Sequence, residues 1–201
     1  MKQESIKGKL LEAAKEFLDI KLDTDDINRL FSISQIREYQ KGNTILGISE
    51  NLSSVGLVCN GMVRSYYLDR TGNEITKNFH KEYFLFMDEG LIGYEKSICA
   101  YEAIEDSVIM LFDIKTLKKL IKENERFKDL YISALEFGIR YKIRRENDFL
   151  MNNATERYLQ FERDYPELVN RVKQTHISTY LGITPESLSR IKRTLKGDIY
   201  E

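Results

Sequence analysis

Between Gln174 and Leu195 the chain reads QTHISTYLGITPESLSRIKRTL, and its polar residues fall in a pattern with a chemical use. On a helix turning about 100° per residue, Arg190 lies about 40°, Ser189 about −60° and Arg193 about −20° from Glu186. Leu188, Ile191 and Leu195 fall between about 140° and 200° on the same wheel. One face is therefore apolar, and the other carries two arginines, a serine and a glutamate. A face of that kind can read base edges in a DNA major groove, because arginine donates a bidentate pair to guanine and glutamate accepts from the cytosine amino group. Glu186, Ser189 and Arg190 are the candidate base readers. Thr184, Ser187, Lys192, Arg193 and Lys196 are the candidate contacts to the phosphate backbone. A plain i,i+4 ion pair on a solvated face accounts for Glu186 and Arg190 as well, and contributes only a few tenths of a kcal/mol.

A helix-turn-helix, one way to present such a face, needs two short helices packed steeply around a tight turn. The turn needs a residue free to take positive φ, and Gly182 supplies it. Ile177, Leu181, Ile183, Leu188 and Ile191 stand where the two helices must bury apolar surface, and the small Ser178 stands where they touch. Thr184 is a natural N-cap and Pro185 a natural first helical residue. Upstream, Ala154 to Tyr165 reads as a helix stopped near Pro166, with Glu167 to Val172 continuing helical.

Charge agrees with this placement. From Arg171 to Lys196 there are six basic residues and one acid, a net +5 that leaves −6 for the rest of a chain whose total is −1. A neutral chain with one basic end suits a nucleic-acid-binding module joined to an acidic partner domain, although a solvated terminal helix looks the same on charge alone. Cys59 and Cys99 form no CxxC pair, which excludes a disulfide framework or a cysteine-built zinc site. The N-terminus MKQESIKGKLLEAAKEFL has no signal-peptide apolar stretch, and no apolar run approaches the ~20 residues that span a bilayer. A soluble, cytoplasmic protein without membrane contact is expected.

The remaining texture is mixed. Residues 4–18 and 23–32 read as helices, the second opening on Asp23-Thr24-Asp25-Asp26, whose side-chain oxygens can cap free amides. Seven of the eleven glycines then fall between Gly42 and Gly93, separating short segments such as SVGLVC, MVRSYYL and SVIMLF. Short β-rich segments between turn signals predict an antiparallel β-roll over 33–113, with Val55, Leu57 and Cys59 on one strand face. Lys115–Lys122 reads as a short helix and Arg126–Met151 as a long one. Ile132, Leu135, Ile139, Ile143 and Leu150 form a seam on the long helix, while Tyr131, Phe137, Tyr141 and Phe149 add apolar bulk on other sides. A helix apolar on more than one side must be buried twice, against its own roll and against a second copy of itself. Burial within a monomer core is the competing reading.

A β-roll, a long helix and a C-terminal helix-turn-helix, in this order, resemble the Crp/Fnr family of bacterial transcription regulators. The resemblance covers nearly the whole chain. It is strongest over ATERYLQFERDYPEL and ISTYLGITPESLSRIKR, and looser over VCNGMVRSYYLDRTGNEI and AYEAIEDSVIMLFDIKTLKKLI. It implies an α+β fold in three parts: a cyclic-nucleotide-binding-like jelly roll with flanking helices (1–125), a dimerisation helix (126–151) and an all-α DNA-binding domain (152–201). It implies a homodimer on a near-palindromic double-stranded DNA site, with RNA polymerase as a further partner. Glu186, Ser189 and Arg190 resemble the base-reading trio of the Fnr branch, which implies a TTGA-like half-site.

Departures from the family bear on what controls the protein. Cyclic-nucleotide-binding members hold the phosphate with a Gly-Glu segment followed by an Arg-Ser pair. Here the stretch reads MDEGLIGYEKSICAYEA, with Ser97-Ile98 at the Arg-Ser place and Lys96 beside it. Without that arginine a phosphodiester lacks its bidentate partner, so an effector other than cyclic AMP is expected, near Glu89, Lys96 and Ser97. Iron–sulfur members need N-terminal cysteines, and none precedes Cys59; His80 is the single histidine of the roll for a haem. No cofactor is expected. Six residues follow Leu195, so the family's C-terminal wing is expected to be missing or reduced.

Two other classes compete. A cupin-like enzyme would need several histidines and a carboxylate in the roll, and His80 alone does not supply them. No GxSxG, P-loop or dinucleotide-binding glycine pattern is present, so no enzymatic activity is expected. A sensor or protein-interaction module of the same fold, without DNA binding, is the second alternative.

Overall fold

The computed structural model describes residues 3–18 and 22–197; within that span the side chains of 3, 11, 13–18, 196 and 197 are outside the description. Helices α1 (Gln3–Leu18) and α2 (Thr24–Ser32) come first. Asp23 starts α2 with a capping box: its carboxylate accepts the Asp26 amide at 2.9 Å, and the Asp26 carboxylate accepts the Asp23 amide at 3.2 Å. Arg126 donates to both carboxylates and so ties this cap to the start of the long helix.

Eight strands follow, β1 (Ser34–Tyr39), β2 (Thr44–Leu46), β3 (Ser54–Asn60), β4 (Val63–Leu68), β5 (Glu74–His80), β6 (Leu85–Phe86), β7 (Ala100–Ala103) and β8 (Ser107–Asp113). They form two four-stranded sheets, ordered β1-β8-β3-β6 and β2-β7-β4-β5. The first sheet is antiparallel, with Ile36 opposite Met110 and Leu57 opposite Met110 on the two flanks of β8. An inner core of Val55, Val58, Val63, Phe86, Tyr101 and Ile109 is buried in the roll. A second core of Ile6, Leu10, Ile27, Leu57, Cys59, Met110 and Phe112 packs α1 and α2 against the first sheet. Strand β3 is thus buried on both faces, which explains its unbroken apolar run. Leu57 and Cys59 share the helix-covered face as expected, but Val55 belongs to the inner core. Each such side chain contributes roughly 1.5–3 kcal/mol on burial.

Helix α3 (Ile114–Glu123) is capped by Asp113, and α4 (Glu125–Met151) extends over 27 residues, about 40 Å. Asn153 caps α5 (Ala154–Asp164) with a second capping box, its partner being Glu156. A single turn, α6 (Leu168–Arg171), leads to α7 (Gln174–Leu181) and α8 (Pro185–Gly197). The α+β order of roll, long helix and helical C-terminal region is the one the sequence predicts. The described residues divide into two compact units: one runs to Ser65 and resumes over Phe79–Ile139, and the other joins Tyr66–Asn78 to the chain from Arg140 onward.

Candidate nucleic-acid interface

The turn between α7 and α8 is built as the sequence requires. Gly182 adopts φ 68° and ψ 35°, and the Ile183 amide donates to the Ser178 carbonyl at 3.0 Å, closing the helix end. A Cβ at Gly182 would stand 2.8 Å from the Phe149 ring, so the position needs glycine for space as well as for φ. Thr184 caps α8, its hydroxyl accepting the Ser187 amide at 3.2 Å. Ser178, Ile177, Leu181 and Leu188 are buried where the two helices meet.

Opposite that seam, Glu186, Ser189, Arg190 and Arg193 are exposed together on α8. The Glu186 carboxyl is held below its ordinary range by its own backbone amide, then by the Thr184 hydroxyl and Arg190. It therefore remains an ionised acceptor at neutral pH. Arg190 reaches toward the Ser187 hydroxyl at 3.4 Å, a long contact that leaves its donors available to a base edge. Of the flanking residues, Thr184 is exposed and Ser187 is half-buried in the cap. Lys192 is half-buried, with its amine 6.0 Å from the Tyr158 ring centre, so it lies against α5. The Lys196 side chain lies outside the described residues.

The sequence reading missed what holds this pair of helices in place. Arg145 of α4 donates to the Tyr180 carbonyl at 2.7 Å, and Arg157 of α5 donates to the Leu181 carbonyl at 3.1 Å. Both guanidinium groups neutralise the negative end of α7. The Phe149 ring lies about as far from each of them, at 5.0 and 5.1 Å. The i,i+4 spacing of Arg145 and Phe149 was the available signal, but their partner 30-odd residues away was not legible.

On α4, Ile132 is 44% exposed, Ile139 55%, Ile143 61% and Leu150 76%, while Leu135 is half-buried. The seam predicted from the sequence is thus open along most of its length, and burial of these four within a monomer core is corrected.

In the roll, Glu89 and Ser97 are buried and Lys96 is exposed. Glu89 accepts from the Tyr101 hydroxyl at 2.6 Å, and burial together with the Glu89 charge pushes the Tyr101 hydroxyl well above its ordinary range. Ser97 donates to the Cys99 carbonyl at 2.5 Å. One buried group escaped the sequence reading: Arg64, which pairs with Glu102 at 2.9 Å. His80, the histidine singled out in the roll, is buried 3.0 Å from the Ser65 hydroxyl. Because the Leu85 carbonyl can only accept, His80 Nδ1 carries a proton there, 2.9 Å from that oxygen. Burial raises the Cys59 thiol to about 11, which makes it a core residue rather than a nucleophile. Among the described residues no three His, Cys, Asp or Glu side chains gather as a metal site, and no helix is long and apolar enough to cross a membrane.

Comparison with known proteins follows the same architecture. Residues 36–124 match the cyclic nucleotide-binding domain family. Comparison by sequence with curated proteins gives no match. Among solved structures, FixK2 from Bradyrhizobium japonicum is 24% identical with a TM-score of 0.71, covering 83% of this chain and 86% of its own. The c-di-GMP-responsive global regulator CLP from Xanthomonas campestris is 15% identical with a TM-score of 0.72, covering 88% and 93%. The catabolite activator protein of Thermus thermophilus is 19% identical with a TM-score of 0.58, covering 90% and 87%. These neighbours are transcription regulators rather than enzymes. Residues 36–124 therefore match the cyclic nucleotide-binding domain family, and the chain that carries them has the fold of the Crp/Fnr regulators of transcription.

Proposed function

We propose that this protein is a sequence-specific DNA-binding regulator of transcription that acts as a homodimer. The observation that carries the reading is the two-sided α8: Leu188 fully buried behind it, and Glu186, Ser189, Arg190 and Arg193 exposed in front. Glu186, Ser189 and Arg190 read bases, and Thr184, Ser187 and Arg193 face the backbone. Lys192 and Lys196 complete the basic flank by charge. The exposed isoleucines of α4 and Leu150 are the self-association seam, so residues 126–151 serve as the dimer helix between a sensor part and a DNA-binding part. RNA polymerase is the further partner that such a regulator engages.

The roll is the sensor, and its effector is not cyclic AMP. In support, Lys96, next to Ser97 in sequence, is at the surface, and the buried Arg64 pairs with Glu102. Direct binding to duplex DNA over a salt series tests the function. A regulator making about 6–10 phosphate contacts loses roughly 10³–10⁵ in affinity between about 50 and 200 mM salt. An affinity too weak to detect at low salt, or one flat across the series, would instead identify a sensor or protein-interaction module.

A further inference from the structure

Strands β4 and β5 begin and end in the roll, yet their middle, Tyr66–Asn78, belongs to the unit that carries α7 and α8. Specific hydrogen bonds account for this. The Thr76 amide donates to the Thr179 hydroxyl oxygen at 3.2 Å, and the two threonine hydroxyls lie 2.9 Å apart, across 103 residues of sequence. Thr179 Oγ1 also lies 3.2 Å from the His176 carbonyl, which can only accept. Its single proton goes there, so the Thr76 hydroxyl donates to Thr179, and both Thr179 lone pairs are used by Thr76. Beside this pair, the Tyr141 hydroxyl donates to Asn78 Oδ1 at 2.9 Å and accepts from the Tyr180 hydroxyl at 3.1 Å.

Tyr180 is therefore held at two points from one turn of α4: its hydroxyl by Tyr141 and its carbonyl by Arg145. Apolar packing resists separation of helices but lets them slide and rotate, whereas two directed hydrogen bonds on one residue fix its orientation. All of these groups engage α7, and the polar face of α8 stays exposed while they do so. We propose that Thr76, Asn78 and Tyr141 are positioning residues for DNA reading. They seat α7 and α8 in one orientation on α4, and in a dimer joined through α4 that orientation sets the separation of the two reading helices. The proposal rests on the DNA-reading function above.

The test uses the full chain and duplexes carrying one half-site, or two half-sites at separations stepped by single base pairs. The parent should show a sharp optimum near one helical turn, about 10–10.5 base pairs. Tyr141→Phe, and Tyr141→Phe combined with Thr76→Val, keep the side-chain shapes and remove the directed bonds. Both should flatten the spacing profile and lose affinity for the optimal two-site duplex, by about tenfold in the double variant, on the scale of one or two net hydrogen bonds. Affinity for the one-site duplex should be unchanged, and circular dichroism should show the parent fold. A parent-like spacing profile in both variants would overturn the proposal. So would an equal loss on one-site and two-site duplexes, which marks a merely structural role. A parent that selects no sequence at all would overturn the DNA-reading function itself, and the proposal with it.

Discussion

Arg190 and Glu186 share one exposed face because they are four residues apart on a helix whose other side is pinned by Leu188. Arginine's value at such a place is its two parallel donors, so truncation removes discrimination more than general affinity. Arg190→Ala should cost about 1–3 kcal/mol at one base pair and relax preference there, read from binding to a panel of singly substituted half-sites. Gly182 is constrained twice, by φ 68° and by the Phe149 ring. Gly182→Ala should lower stability by more than about 1 kcal/mol in urea unfolding, since an alanine there is strained and crowded. Gly182, Thr184 and Pro185 were legible in the sequence because turn and cap chemistry is local. Phe149 as the neighbour of Gly182 was not, because nothing in a linear pattern says which apolar residue of a long helix reaches a turn 33 positions away.

Elements show where periodicity informs and where it stops. The Asp23 signature gave the start of α2 correctly, yet Arg126, which joins that cap from 103 residues away, carries no local mark. The Asp23 carboxyl is held below its ordinary 3.8, first by the Asp26 amide and then by Arg126. Its stabilising effect is therefore complete above about pH 4 and is lost as pH falls through the lowered value. The difference in melting temperature between the parent and Asp23→Ala should be constant near neutrality and shrink toward zero in strong acid. In α8, the amphipathic pattern places Leu188 in the buried seam, and the structure buries it completely. Leu188→Ala should cost about 2–5 kcal/mol and be seen as early melting of the helical unit. Strand β3 shows the opposite case: alternation assigned Val55, Leu57 and Cys59 to one buried face, but both faces are covered, and Val55 joins the inner core while Leu57 and Cys59 join the second.

At the scale of the whole molecule, the proposed homodimer rests on the exposed seam of α4. Four aliphatic side chains from Ile132 to Leu150 stand open on one helix, and on the proposed reading a second copy of the chain covers them. Ile143→Glu should shift the chain to a monomer in light scattering and weaken binding to a two-half-site duplex far more than to a single half-site. The succession of β-roll, long helix and C-terminal helices along the chain was legible from glycine spacing and the return of helical texture. The loan of Tyr66–Asn78 to the helical unit was not, because it depends on polar contacts between residues far apart in the chain. The central claim, that α8 reads DNA sequence, is tested most directly by selecting bound sequences from random duplex DNA with the purified protein at near-physiological salt. The account predicts a near-palindrome whose half-sites lie about one helical turn apart, TTGA-like in sequence, with Arg190→Ala losing preference at one position of each half. Recovery of no preferred sequence from a protein that is dimeric and folded, with or without candidate effectors, would contradict it.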